Sequence, residues 1–205
     1  MARAGNLGDL GEYLQECVGE FDCTDVADEL PTRACNGLWV LQVGANAGHR
    51  IAVGAAHTRG DVLVHVPGDR TVFTGDILFI EGTPLMWAGP VANWLAACDR
   101  ILAMDVDVIV PGHGPITDKA GVRRMRGYLE YVQQEAKKRY DAGLSLRDAI
   151  HDIALGDYDA WLDAERIAIN VDTLYREFSG TAKPTDTLTL FTLMAEVKQQ
   201  RKARR

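Results

Sequence analysis

Apolar positions along this chain change period twice, and the changes divide it into a strand-rich and a helix-rich part. Leu10, Tyr13, Leu14 and Val18 recur at helical spacing, with Gly19 placed to end the helix. Residues 1–8 read as a polar, frayed end, and the acidic stretch 21–33, broken by Pro31, reads as a connector. From Gly37 the texture becomes β-like. Residues 38–43 form a β-rich run, residues 45–48 a turn, and residues 49–53 the return strand of a hairpin. A strand over 61–66 alternates Val62, Val64 and Val66 with Leu63 and His65, and Pro67-Gly68-Asp69-Arg70 turns the chain. Residues 71–74 predict a short strand that stops at Gly75-Asp76. Residues 77–89, interrupted by Gly82, Pro84 and Gly89, predict a loop. Residues 106–110 predict a last buried strand, with a loop over 111–115.

Helical periods take over elsewhere. Trp94, Leu95, Cys98, Ile101 and Leu102 share a face over residues 90–104, with Pro90 near the start. Asp118 is the N-cap expected for a long helix that Gly143 ends, with Val122, Met125, Leu129, Val132 and Ala136 as its apolar stripe. Ser145 caps a short helix carrying Leu146, Ala149, Ile150 and Ile153. A third helix is expected over 160–178, with Trp161, Ile167, Val171, Leu174 and Phe178 inward. A last helix is expected over 187–203. Strands followed by helices, without internal repeat, predict an α/β chain in which helices cover a sheet layer. The expected divisions are residues 1–36 as helix and connector, 37–143 as the sheet-bearing part, and 144–205 as a helical extension.

Three polar islands stand in the strand-rich part, each directly after an apolar run. They are His57-Thr58-Arg59-Gly60-Asp61, Thr74-Gly75-Asp76 and Pro111-Gly112-His113-Gly114-Pro115. A buried strand that stops at glycine and then offers His or Asp is how sheet proteins present ligands at one edge. Imidazole nitrogen and carboxylate oxygen are ordinary zinc ligands, and a catalytic zinc takes about three of them plus an open position. His57, Asp76 and His113 are therefore the candidate metal-binding residues. The Asp76 carboxylate has two oxygens and can bridge two cations. Asp61 and Thr58 are expected to orient the His57 loop by hydrogen bonds. His65 in mid-strand, His151 on a helix and His49 after a turn read as structural or surface histidines. Trp87 and Trp94 stand near the islands, Trp94 as a core residue.

Taken in order, His-Thr-x-Gly-Asp, Phe-Thr-Gly-Asp and Pro-Gly-His-Gly resemble the second half of the metallo-β-lactamase-fold hydrolases. The resemblance spans residues 37–143 and implies an αββα sandwich, incomplete at its N-terminal side and with extra C-terminal helices. It implies that His57 binds one zinc, Asp76 bridges two, and His113 binds the second. A complete member carries out metal-assisted hydrolysis, in which two zincs lower the pKa of a water toward neutrality. Aspartate at 76, rather than cysteine, resembles the general hydrolase branches more than the lactam-cleaving ones. The family's first motif, His-x-His-x-Asp-His, does not occur in this sequence. The resemblance therefore implies one or two zinc ions in a complete homologue and weak or no zinc here. Which residue would be catalytic is not readable.

Three accounts of the missing motif compete. The chain is a truncated form of a hydrolase; or it is a degenerate, non-catalytic binding or structural protein; or a partner chain supplies the missing ligands. The intact later motifs favour truncation. Missing strands would leave a sheet edge and an apolar face bare, which predicts a homodimer or aggregation.

Composition narrows the rest. The chain has 205 residues, 47% hydrophobic and 25% charged, enough for one domain with a core. A net charge of −7 argues against nucleic acid, and the basic run from Lys198 reads as a solvated helix end. A small-molecule substrate is the remaining expectation. No run reaches the ~20 apolar residues of a membrane span, and no secretory signal opens the chain. Its 4 cysteines, Cys17, Cys23, Cys35 and Cys98, match no zinc or disulfide spacing. A cytoplasmic protein with free thiols is the resulting expectation.

Overall fold

The structure is a computed structural model that describes residues 8–18, 38–44, 46–181, 183 and 185–203. The expected connector, Gly19, Cys23 and Cys35 lie outside the described residues.

Five strands form one sheet in sequence order: β1 (Leu38–Val43), β2 (Asn46–Gly54), β3 (Asp61–Val66), β4 (Thr71–Phe79) and β5 (Val108–His113). The first four make an antiparallel meander. β5 instead runs parallel to β4, because helix α2 (Val91–Ala103) carries the chain back across the sheet between them. The register puts Ile51 opposite Leu63 and Val72 opposite Ile109. All four are buried, so this is the face turned to the helices.

Helix α1 (Asp9–Val18) precedes the sheet, and α3 (Lys119–Asp141), α4 (Leu146–Asp152), α5 (Ile167–Ser179) and α6 (Thr187–Ala203) follow β5. The carboxylate of Asp118 accepts a hydrogen bond from the Ala120 amide at 2.7 Å and caps α3 as its sequence predicts. The α3 stripe of Val122, Met125, Leu129, Val132 and Ala136 is fully buried. α2 packs on α3 and α3 on α5. One continuous core joins the sheet to the C-terminal helices through Phe79, Trp94, Met125, Leu129 and Ile167. Burial pushes the Cys98 thiol within it up to about 12, so that sulfur stays protonated. α1 lies against α6, where Lys198 reaches Glu16 at 2.8 Å and stands 5.2 Å from the Tyr13 ring. Arg201 likewise meets Asp159 at 2.7 Å, so part of the C-terminal basic run is paired with the protein's own acids. Among the described residues, no helix is long and apolar enough to cross a membrane.

Four boundaries differ from the sequence pattern. β2 starts at Asn46 rather than 49, because the turn is closed earlier, with Gly44 at φ +59° and Val43 opposite Asn46. β4 does not stop at Gly75 but continues to Phe79; Gly75, at φ +49°, marks an irregularity in its pairing with β5. β5 runs on to His113 and is an edge strand, with Ile109 buried and Val108 exposed. α5 begins at Ile167, not 160, because two 3₁₀ turns and Asp163 at φ +55° interrupt the helical path first.

Among the described residues, the other face of the sheet is left uncovered. Trp39 stands opposite Arg50, Arg50 opposite Val64, and Val64 opposite Phe73. Trp39, Leu41, Val64, Phe73 and Val108 are all exposed on it, Phe73 at 46%. A contiguous exposed apolar face of this kind marks a surface for further packing.

On the inner face His49 and His65 are cross-strand partners with rings 6.0 Å apart, and His65 Nε2 is buried without a hydrogen-bond partner among the described residues. Burial, then the neighbouring His49, depress the His65 pKa against a smaller opposing pull from Asp105. A base with a lowered folded pKa stabilises the fold above its unfolded pKa, and that contribution fades as pH falls from about 6.5 through the folded value. Urea denaturation is expected to show stability falling between neutral and mildly acidic pH, and falling less in His65→Gln. An equal loss in both proteins would contradict this linkage.

Candidate metal centre

The end of β2 is built of small residues, and Gly54 at φ +83° turns the chain into the His57 loop. Asp61, the first residue of β3, ties that loop together. Its Oδ2 accepts from the Ala56 amide at 3.1 Å and the Thr58 amide at 2.9 Å, and its Oδ1 accepts from the Thr58 hydroxyl at 2.7 Å. The Thr58 hydroxyl oxygen in turn accepts from the Gly60 amide at 3.3 Å. Four donors are thus satisfied within one turn of chain.

His57 is held from its far side. Its Nδ1 is 2.7 Å from the Leu85 carbonyl oxygen. A carbonyl only accepts, so Nδ1 carries a proton, and in the neutral ring the lone pair is then on Nε2. Nε2 stands 3.5 Å from Asp76 Oδ2. This arrangement of backbone carbonyl and imidazole is the one that presents Nε2 to a cation.

Asp76 follows Gly75 in β4, where the register against β5 shifts. Gly112 on β5 lies so close that a Cβ there would collide with the Asp76 carboxylate and the Gly75 backbone. His113 ends β5, and its Nε2 stands 3.3 Å from Asp76 Oδ1. Its ring stacks on Phe79 with centroids 4.3 Å apart and planes at 11°. Gly114 has φ +86°, and a Cβ there would run into the Ile80 carbonyl. The parallel pairing of Phe79 with His113 and the bond from the Ile80 amide to the His113 carbonyl, 2.9 Å, fix the far end of the strand.

The three candidate residues from three separate islands therefore meet at one edge of the sheet. The carboxylate lies between two imidazoles, one Nε2 beside each oxygen. The His57 side chain is 12% exposed, while Asp76 and His113 are 41% and 51% exposed. The centre is walled on the His57 side and open on the His113 side. Phe79 lies under both rings, 5.7 Å from His57, and Trp94 is 6.2 Å from His57.

The donor types suit zinc: two imidazole nitrogens and a carboxylate. Their number does not complete a zinc site. Among the described residues no three His, Cys, Asp or Glu groups converge on one point. The pairs His57–Asp76 and His113–Asp76 offer each of two ions one imidazole and a share of one carboxylate, short of the three or so protein ligands of a catalytic zinc.

The remaining histidines are elsewhere. His49 and His65 face each other across β2 and β3, and His151 Nδ1 lies 2.8 Å from Gln200 Oε1 between α4 and α6. Trp94 is a fully buried core residue whose indole N–H donates to the Ile77 carbonyl at 2.8 Å. Sequence reasoning missed Phe79 and the Leu85 carbonyl, which lie in the stretch expected as a loop. The apolar run Ile77-Leu78-Phe79 was the available signal for Phe79; a backbone carbonyl leaves none.

Residues 34–113 match the family model of the metallo-beta-lactamase superfamily. The chain is similar to a hydroxyacylglutathione hydrolase of Fuscovulum blasticum, 32% identical over 76 residues, which takes in 32% of this chain and 30% of the relative. It thus spans less than a third of that relative's length. Among solved structures, the stereoselective inverting sec-alkylsulfatase of a Pseudomonas species shares the fold over 75% of this chain and 28% of its own, with a TM-score of 0.57 and 13% identity. A metallo-beta-lactamase from Pontibacter korlensis superposes with a TM-score of 0.46 and 19% identity over 53% of each chain.

Asp61→Ala leaves the Thr58 amide and hydroxyl without their acceptor, while the Ala56 amide keeps the Thr58 carbonyl at 2.9 Å. These donors are exposed and can bond water instead, so the substitution is expected to lower unfolding stability by about 0.5–1.5 kcal/mol, read by urea denaturation, with Asp61→Asn losing less. An unchanged midpoint in Asp61→Ala would contradict the tie.

Proposed function

We propose that this chain, a member of the metallo-β-lactamase superfamily, is the C-terminal part of a zinc-dependent hydrolase of small molecules, with low or no activity by itself. The observation that carries this reading is the Asp76 carboxylate with one imidazole Nε2 at 3.5 Å from one oxygen and another at 3.3 Å from the second. His57, Asp76 and His113 would hold the metal, and Asp61 and Thr58 would orient His57. Zinc in such a centre polarises the bond to be cleaved and supplies a nucleophilic water near neutral pH. The half-set of ligands and the bare apolar sheet face both point to a first half contributed from outside the residues described. This chain's share would be to orient two imidazoles and the shared carboxylate.

Zinc titration calorimetry tests the reading. The expected result is weak binding that Asp76→Ala abolishes and that His57→Ala and His113→Ala each diminish. A second reading, a non-catalytic binding protein on the same fold, is favoured by the absence of three convergent ligands among the described residues. It predicts no zinc uptake and no effect of His57→Ala, which would overturn the first.

The bare sheet face supports a homodimer as this chain's own means of covering Trp39, Leu41, Val64 and Phe73. Sedimentation is expected to give a dimer that Phe73→Lys returns to monomer. A monomeric parent chain would contradict it.

A further inference from the structure

The His57 imidazole is oriented by the Leu85 carbonyl, and the segment that carries that carbonyl is itself held from α5 and from Arg166, the residue just before it. Arg166 Nη1 donates to the Thr83 carbonyl at 3.1 Å. Asn170 Oδ1 accepts from the Met86 amide at 2.9 Å, and its Nδ2 donates to the Pro84 carbonyl at 3.0 Å and to the Tyr128 hydroxyl oxygen at 2.8 Å. The Thr173 hydroxyl donates to the Met86 carbonyl, and Glu177 Oε1 accepts from the Val91 amide at 3.0 Å. Positions 166, 170, 173 and 177 recur at the spacing of one helix face. Asn170 is 0% and Thr173 1% exposed, so these bonds replace water that neither group can reach.

The held segment contacts the metal centre at two points. Its Leu85 carbonyl accepts the His57 Nδ1 proton, and its Gly89 amide donates to the Ala56 carbonyl at 3.0 Å, beside His57. Asn170 and Thr173 bond residues 84 and 86, on either side of Leu85. No bond to Leu85 itself is needed: fixing both neighbours fixes the plane of its carbonyl. Glu177 reinforces the far end, where burial raises its carboxyl pKa against the opposing Val91 amide bond.

We propose that Asn170 and Thr173 of α5 are positioning residues for His57: through the Leu85 carbonyl they hold the imidazole as the Nδ1–H tautomer with Nε2 aimed at Asp76. The C-terminal helices are thereby part of the metal centre's support rather than an appendage to it. In its functional sense this rests on His57 being a zinc ligand; in its structural sense it does not. A polar face on α5 would otherwise be an unexplained departure from the apolar packing that Ile167, Val171 and Leu174 give the same helix.

The test is the tautomer of His57 in the metal-free, full chain. Two-bond 1H–15N correlation spectra of the 15N-labelled protein, taken above the imidazole titration range at about pH 8, separate Nδ1–H from Nε2–H forms. His57→Gln assigns the signal. The parent chain is expected to show His57 as a single Nδ1–H tautomer. Asn170→Leu and Thr173→Val are expected to convert it to a mixture while His151 is unchanged. Thr173→Ser, which keeps the hydroxyl, is expected to restore the parent spectrum. Zinc affinity should fall on the order of 10- to 100-fold in the first two variants.

Should Asn170→Leu fail to fold, the comparison of Thr173→Val with Thr173→Ser carries the test. A parent His57 in the Nε2–H form, or an unchanged His57 tautomer in folded Thr173→Val, overturns the proposal. A parent chain that binds no zinc but passes the tautomer test removes the metal reading and leaves the positioning role standing.

Discussion

The parallel pairing of β4 with β5 is the constraint on which the centre depends. Parallel strands end at the same edge of a sheet, so the Asp76 region of one and His113 of the other arrive side by side. Gly112 lets the two backbones approach until a side chain would no longer fit between them. The antiparallel meander then returns β2 to the same edge, and its small-residue end releases His57 toward the opposite oxygen of the same carboxylate. A sheet order without the α2 crossover would put His113 at the far edge.

Two forces hold this arrangement, and they act on different sides of it. Core packing under the sheet fixes the strands: Phe79 lies beneath both imidazoles, and Trp94 anchors the Ile77 carbonyl two residues before it. Buried hydrogen bonds fix the loops, with Asp61 tying the His57 turn and the polar face of α5 holding the segment over it. Among the described residues, the exposed sheet face has no such partner. Its apolar residues and the open His113 side are where the proposed first half of the hydrolase would pack and add ligands.

Much of this was legible in the sequence because it follows from local rules. The stripe Val122, Met125, Leu129, Val132, Ala136 with its Asp118 cap read directly as α3. The three islands named His57, Asp76 and His113, and their motif order carried the resemblance to the metallo-β-lactamase-fold hydrolases. What was not legible arose where one residue type has two structural meanings. Gly75 read as a strand end but is an irregularity within β4, because glycine permits a positive φ in either setting. Trp161 read as part of a helix, although left-handed Asp163 delays α5 to Ile167. Asn170, Thr173 and Glu177 resemble solvent-face residues by type, yet they face a backbone segment some 80 positions earlier in the chain, as the separations of 84, 86, 87 and 86 residues across these bonds show. Only the tertiary fold reveals such partners.

In the proposed centre one carboxylate would serve two imidazoles through two cations. Anomalous diffraction at the zinc edge from crystals soaked in zinc tests it most directly. Scattering centres are expected about 2.0–2.1 Å from His57 Nε2 and from His113 Nε2, each within bonding distance of a different Asp76 oxygen. Zinc bound elsewhere, or no peak at this edge of the sheet under saturating zinc, would contradict it.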